Sequence, residues 1–223
     1  MQYREFVDGI KISALGFGCM RFETENDEII EPKAIENLRY AIDHGVNYID
    51  TAYVYHKGKS ETLLAKALAD GYREKVYLAD KMPVWMVEKP EDFDRYFQTQ
   101  LDRLNTDHID FYLLHSLGKD TFEEKVKKLG LMEKMRQLKR DGKVRYIGFS
   151  FHDSNEVFHE IVDEFAGCDF CQIQYNYIDT NNQAGTEGLE YAHSKGLGVV
   201  IMEPLLGSAL ANLDDNVKSA LPK

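Results

Sequence analysis

The feature that most constrains this chain is a regular alternation of short apolar runs with amphipathic stretches that carry the charges. No linker or low-complexity segment interrupts it. Apolar runs at 15–19, 48–50, 76–81, 109–114, 144–150, 171–175 and 198–202 read as strands. Between them lie helices with recognisable ends. The first starts with Pro32 at N1, puts Ile35, Leu38 and Ile42 on one face, and closes at Gly45. The second takes Ser60 as its N-cap and ends at Gly71. The third begins near Pro90 and repeats Phe93, Phe97, Leu101 and Leu104 at helical spacing. Three more run over about 122–140, 155–165 and 187–194. Ahead of them all, residues 6–12 read as a small hairpin turning at Asp8-Gly9.

Uninterrupted β/α alternation means parallel strands joined by helical crossovers, hence a closed barrel or an open doubly wound sheet. A dinucleotide-binding open sheet places G-x-G-x-x-G in its first strand-helix turn, but Gly16-Phe17-Gly18 is followed by Arg21 where the third glycine belongs. A barrel instead gathers polar residues at the C-terminal ends of many strands. That pattern is present: Asp50, Lys81 and His115 end three successive strands. Ser150 and His152, then Gln172 and Gln174, then Glu203 continue the series. The expectation is an α/β fold, a TIM (β/α)8-type barrel in a single domain over 1–223. Only seven repeating strands precede the final residues 213–218, so the last βα unit is expected to be lacking.

A chain of 223 residues with 43% hydrophobic and 29% charged residues suits one sizeable globular core. Its formal net charge of -11 argues against a broad nucleic-acid or anionic-membrane surface. No apolar run approaches the roughly 20 residues of a membrane span. Three cysteines cannot build a disulfide framework, which makes a reducing cytoplasm the expected setting. Cys168 and Cys171 form a C-x-x-C with no second pair, and read as strand-edge residues. The 7 histidines show no ligand spacing, so no metal is expected.

The rim residues suggest a chemistry. A phenol holds its proton tightly at neutral pH, and a nearby ammonium lowers its pKa and makes it a usable general acid. Tyr55 would be that phenol, Lys81 the ammonium and Asp50 its counter-charge. His115 would donate to a carbonyl oxygen as negative charge develops there. The set suits reduction of a small-molecule carbonyl substrate. Tyr53 and Trp85 follow strand ends and are candidate pocket walls beside His115.

The runs Asn47-x-x-Asp50-Thr51-Ala52-x-x-Tyr55 and Gly58-x-Ser60-Glu61, Lys81 closing the third strand, and Asp110-x-x-x-x-His115 resemble the aldo-keto reductases. The likeness runs from the hairpin through Gly142-Lys143-Val144-Arg145-x-Ile147-Gly148-x-Ser150 to Glu203-Pro204-Leu205. It implies a barrel that reduces aldehydes or ketones with NADPH, NADH being the other cofactor in scope. It implies Tyr55 as proton donor, Lys81 and Asp50 as its tuning pair, and His115 as the group orienting the substrate. Cofactor contacts are implied at Gly18, Cys19, Met20, Asp50, Ser150, Gln172, Met202, Leu205 and Gly207. Phe151 follows the serine where many members have Asn, and Met202 stands where many have an aromatic ring. These departures resemble a branch carrying a C-terminal iron-sulfur segment, whose cysteine run does not occur here. The family's basic residues around the eighth strand are not found, so a weakened dinucleotide grip is expected.

Two rivals remain at this level. One is a non-catalytic NADPH-binding or partner subunit made from an incomplete barrel. The other is lyase chemistry through a Schiff base on Lys81.

Overall fold

The computed structural model describes residues 1–211. A parallel sheet of seven strands forms its centre, each strand hydrogen-bonded to the next in chain order. These are β3 (Phe17–Gly18), β6 (Tyr48–Asp50), β7 (Tyr77–Met82), β8 (Ile109–Leu117), β9 (Val144–Phe151), β10 (Phe170–Gln174) and β11 (Gly198–Met202). The helices joining them are α1 (Glu31–Asp43), α2 (Lys59–Ala67), α3 (Pro90–Leu104), α4 (Lys119–Thr121), α5 (Leu131–Arg140), α6 (Asn155–Glu164) and α7 (Gly185–Ser194). Among the described residues the sheet is open between β3 and β11. Residues 212–223, on which the expectation about an eighth strand bears, lie outside the described ones.

The β/α pattern therefore places every strand of the parallel sheet within a few residues of its expected position, and the differences elsewhere have local causes. The N-terminal hairpin is β1 (Tyr3–Glu5) with β2 (Lys11–Ser13), set one step wider than expected because a 3-10 turn over Val7–Gly9 makes the bend. A second hairpin, β4 (Thr24–Glu25) with β5 (Glu28–Ile29), was not expected. Its turn residues Asn26 and Asp27 take φ of 50° and 65°, the left-handed pair such a two-residue turn requires. Ser60 does not cap α2: Gly58 is the N-cap, and Ser60 is the helix's second residue, buried and bonded to Thr51 and Cys19. The helix expected over 122–140 is broken. A π-helical stretch (Phe122–Lys127) follows α4, and Gly130 at φ 67° separates it from α5.

Strand alternation sorts the side chains. Outward-facing residues such as Leu78, Met82, Tyr112, Leu114, Ile147 and Phe149 pack with the helices in the larger core cluster. The inward set begins with Tyr48, Ala79, Phe111, Leu113, Tyr146 and Phe170 in a separate cluster. Phe6 of the hairpin turn closes this cluster from below, its ring 5.8 Å from Phe111 and 6.4 Å from Phe170. Continuing by two along each strand from this floor gives Asp50, Lys81, His115, Ser150 and Gln172. Apolar side chains fill the bottom of the bowl, and polar ones line its upper layers.

Candidate active site

Asp50 is the last residue of β6 and Lys81 the last but one of β7. The Lys81 side chain is 1% exposed, and its Nζ lies 2.5 Å from Asp50 Oδ1 and 2.7 Å from the Thr51 carbonyl. The same Nζ donates to the Tyr55 hydroxyl at 3.3 Å. Asp50 Oδ2 accepts from Gln172 Nε2 at 3.0 Å across the bowl. Both carboxylate oxygens are thereby held, one by each wall.

Tyr55 is delivered by a turn that only an unusual backbone can make. His56, Lys57 and Gly58 follow it at φ 50°, 59° and 86°, three left-handed residues in succession. Two of them are not glycine, and strain of about 1–3 kcal/mol at each must be offset by surrounding contacts. One such contact is visible: His56 Nε2 accepts the Phe22 N–H at 3.2 Å, while the two rings lie 5.5 Å apart. Burial keeps the His56 pKa below its ordinary value, so the imidazole stays neutral and can accept.

His115 stands at an irregularity in β8. The pairing with β9 shifts register between Leu114 and Leu117, and Ser116 takes φ 57°. Such a bulge re-aims the side chain beside it. Ser150 Oγ accepts the Ser116 N–H at 2.7 Å and pins the bulge. The His115 ring meets Tyr55 edge-on at 5.9 Å and Trp85 at 5.2 Å.

The electrostatics correct one expectation. Burial lifts the Tyr55 pKa; the Lys81 ammonium pulls it down without overcoming that lift, so the net shift is upward. Lys81 itself, although burial opposes its charge, is held above its usual pKa by Asp50 and Tyr55. Burial, with Lys81 and His152 nearby, depresses His115 to about 3. At neutral pH the group is thus a protonated phenol, an ammonium and a neutral imidazole. His115 Nδ1 is buried with no hydrogen-bond partner, a costly state for a polar atom unless something else occupies it.

The remaining expected residues divide. Trp85 is 43% exposed and touches His115, as a pocket wall would. The Tyr53 ring instead packs against α3, 5.1 Å from Tyr96 and 4.4 Å under the Arg103 guanidinium. Cys19 is fully buried, and its backbone N–H and carbonyl are taken by Asp50 and Ser60, so it supports the rim from beneath. Met20 and Leu205 are exposed, Met202 is half-buried at the end of β11, and Gly207 takes φ 63°.

Two features escaped the sequence. Arg21 lies against the Gly207 backbone, its guanidinium 3.6 Å from where a Cβ would stand, which brings the 18–21 and 205–207 loops together. In the sequence Arg21 stands where a dinucleotide-binding glycine motif would have its third glycine, and nothing there marks it as a loop contact. The Thr51 carbonyl is the second acceptor for Lys81, and backbone acceptors leave no trace in side-chain patterns. These residues fit a bound dinucleotide. A Cβ at Gly18 would have no heavy atom within 4 Å, Arg21 offers a cation beside the Gly207 loop, and Gln172 and Ser150 present amide and hydroxyl groups inside the bowl. Among the described residues no cluster could hold a metal ion, and no helix is long and apolar enough to cross a membrane.

A β/α barrel with this rim defines a class, and comparison with known proteins says which one. The aldo/keto reductase family model matches residues 14–222, and the chain belongs to that family. It is 31% identical over 224 residues to the uncharacterized oxidoreductase YrpG of Bacillus subtilis, covering 91% of this chain and 65% of that one. The aldo-keto reductase AKR11C1 of Bacillus halodurans, solved in a holo form, superposes with a TM-score of 0.81 at 26% identity, over 100% of this chain and 78% of that one. An aldo-keto reductase from Klebsiella pneumoniae in complex with NADPH gives a TM-score of 0.79 at 27% identity, over 98% and 75%. The chain spans less than two thirds of the length of the curated relatives it matches.

Proposed function

We propose that this chain reduces an aldehyde or ketone to an alcohol at the expense of NAD(P)H, with Tyr55 as general acid. The observation that carries the reading is the Lys81 ammonium, 2.5 Å from Asp50 and 3.3 Å from the Tyr55 hydroxyl. The Klebsiella relative's complex with NADPH supports that cofactor. Gly18, Met20, Arg21, Ser150, Gln172, Met202, Leu205 and Gly207 are the residues that would hold it, and it would supply the hydride.

The protein supplies the proton. As the substrate oxygen gains charge, Tyr55 gives up its hydroxyl proton to it, and the tyrosinate left behind is stabilised by Lys81. Asp50 keeps Lys81 charged and in place, and Gln172 keeps Asp50 in place. Neutral His115 has one N–H to give to the same oxygen, and its position edge-on to Tyr55 lets the two converge on one acceptor. Solvent then returns a proton to Tyr55. The upward net shift of the phenol suits this order, since the acid must begin protonated. Trp85, exposed beside His115, favours an apolar carbonyl compound.

The same geometry disfavours a Schiff-base lyase. That chemistry needs a neutral amine, whereas Lys81 is held charged among three acceptors. A reducing cytosol is the proposed setting, in keeping with Cys19, Cys168 and Cys171 all being free thiols. Incubating the chain with NADPH and a panel of apolar aldehydes and ketones tests the reading. Loss of nicotinamide absorbance matched by alcohol formation is expected. NADPH binding without turnover on any carbonyl would overturn it in favour of a binding subunit.

A further inference from the structure

Behind the bowl, on the face of β7 opposite Lys81, two carboxyl groups are buried together. Glu61 of α2 and Asp80 of β7 are each 0% exposed. Asp80 Oδ1 accepts the Lys81 backbone N–H at 2.8 Å, and Glu61 Oε2 accepts from Arg103 Nη1 at 2.8 Å. The other two oxygens, Glu61 Oε1 and Asp80 Oδ2, are buried with no hydrogen-bond donor, and the two carboxyl groups lie within reach of each other, with the Gln100 amide also beside Glu61. Two ionised carboxylates cannot face one another in such a place, whereas one proton between them satisfies both atoms.

Arg103 carries the arrangement to the catalytic loop. The same Nη1 donates to the Tyr53 carbonyl at 3.3 Å, and the guanidinium lies 4.4 Å over the Tyr53 ring. Gly58, at the far end of the Tyr55 turn, abuts this guanidinium so closely that a Cβ would come within 3.2 Å of Nη1. Arg103 thus touches both ends of the loop that presents Tyr55. On its other side, Gln100 Nε2 donates to the Lys81 carbonyl at 3.1 Å and Gln100 Oε1 accepts from the Tyr112 hydroxyl.

We propose that Glu61 and Asp80 share a single proton, resident on Asp80, and that the resulting Glu61–Arg103 ion pair is the positioning unit for the Tyr55 loop. The proposal deepens the reductase reading and rests on it for its purpose, but not for its test. Burial raises the pKa of both acids, Asp80 the more because Glu61 adds its charge. With the proton on Asp80, Glu61 remains an anion and Arg103 keeps its fork directed at Tyr53. Glu61 and Arg103 act through the loop and touch no reacting atom.

Carbon-13 NMR of the full chain labelled at the aspartate carboxyl reads the proton directly. At neutral pH one aspartate carbon should keep the shift of a neutral acid, and Asp80→Asn should remove that signal and so assign it. Hydrogen exchange reads the positioning: in Arg103→Lys, amides 53–58 should exchange about tenfold faster than in the unsubstituted chain, since a compact ammonium cannot hold Glu61, the Tyr53 carbonyl and the Tyr53 ring face at once as the planar guanidinium does. Aspartate carbons all at ionised shifts, or exchange unchanged in Arg103→Lys, would each overturn the proposal. Neither readout needs turnover. Failure of the reductase reading would appear only as absent NADPH consumption, with both signals still present.

Discussion

Replacing Lys81 by Met keeps the length of the stem in the bowl and removes the ammonium that Tyr55 is proposed to depend on. For a fully formed tyrosinate 3.3 Å from Nζ, Coulomb's law at an effective dielectric constant of about 20 gives about 5 kcal/mol. With the proton about half transferred in the transition state, about 2.5 kcal/mol is forfeited, or roughly 70-fold in kcat. KM for the carbonyl compound should change little, because the loss falls on the transition state alone. Stability should fall as well. Asp50 would keep Gln172 but lose its counter-ion while 14% exposed, and orphaning one member of a buried pair costs about 3–5 kcal/mol. The lower end applies, since Asp50 retains one hydrogen bond and some solvent. The double variant Asp50→Asn/Lys81→Met should regain part of that stability, because no charge is left unpaired, yet stay as slow as the single one. Single-turnover NADPH oxidation and urea unfolding measure the two effects separately. A Lys81→Met enzyme with kcat within about threefold of the unsubstituted chain would refute the reasoning.

Three further outcomes are expected. Because His115 is depressed to about 3, kcat/KM should show no inflection near the ordinary imidazole pKa of 6.5; an inflection there that disappears in His115→Gln would contradict a neutral donor. Arg21→Ala should weaken NADPH binding by about tenfold or more, the worth of one charge-assisted contact, with NADPH fluorescence titration as the check. Phe6→Ala should lower stability in urea by about 2 kcal/mol, under the range for a fully buried ring, while leaving kcat unchanged, since Phe6 plugs the end of the bowl away from Tyr55.

Much of this architecture is legible in the sequence because period-2 and period-3.6 patterns record which face is buried. Tyr48–Asp50 and Gly198–Met202 match their expected spans, and α3 buries Phe93, Phe97, Leu101 and Leu104 as their spacing indicates. Asp50, Lys81 and His115 could be found because each follows an apolar run at the same end of a β/α unit. Breaks in the pattern were less visible. The bulge at Ser116 and the π segment before α5 interrupt stretches whose composition reads as continuous, since both depend on backbone bonds to neighbouring elements. The packing of Tyr53 is not legible for a related reason: a loop residue has no period, so nothing in the sequence indicates that its ring meets Tyr96 and Arg103. The Glu61–Asp80 pair did leave a signal. If Lys81 faces the bowl, the residue before it must face the helices, and an aspartate there needs a partner in α2 or α3.

Comparing the unsubstituted chain with Tyr55→Phe, with NADPH and the best carbonyl substrate, tests the central claim most directly. Removing one hydroxyl leaves the ring against His115 and the Lys81–Asp50 pair intact, so NADPH should bind as before while kcat drops by about 10²–10⁴-fold. A Tyr55→Phe chain that turns over within a few-fold of its parent would mean that the proton comes from elsewhere.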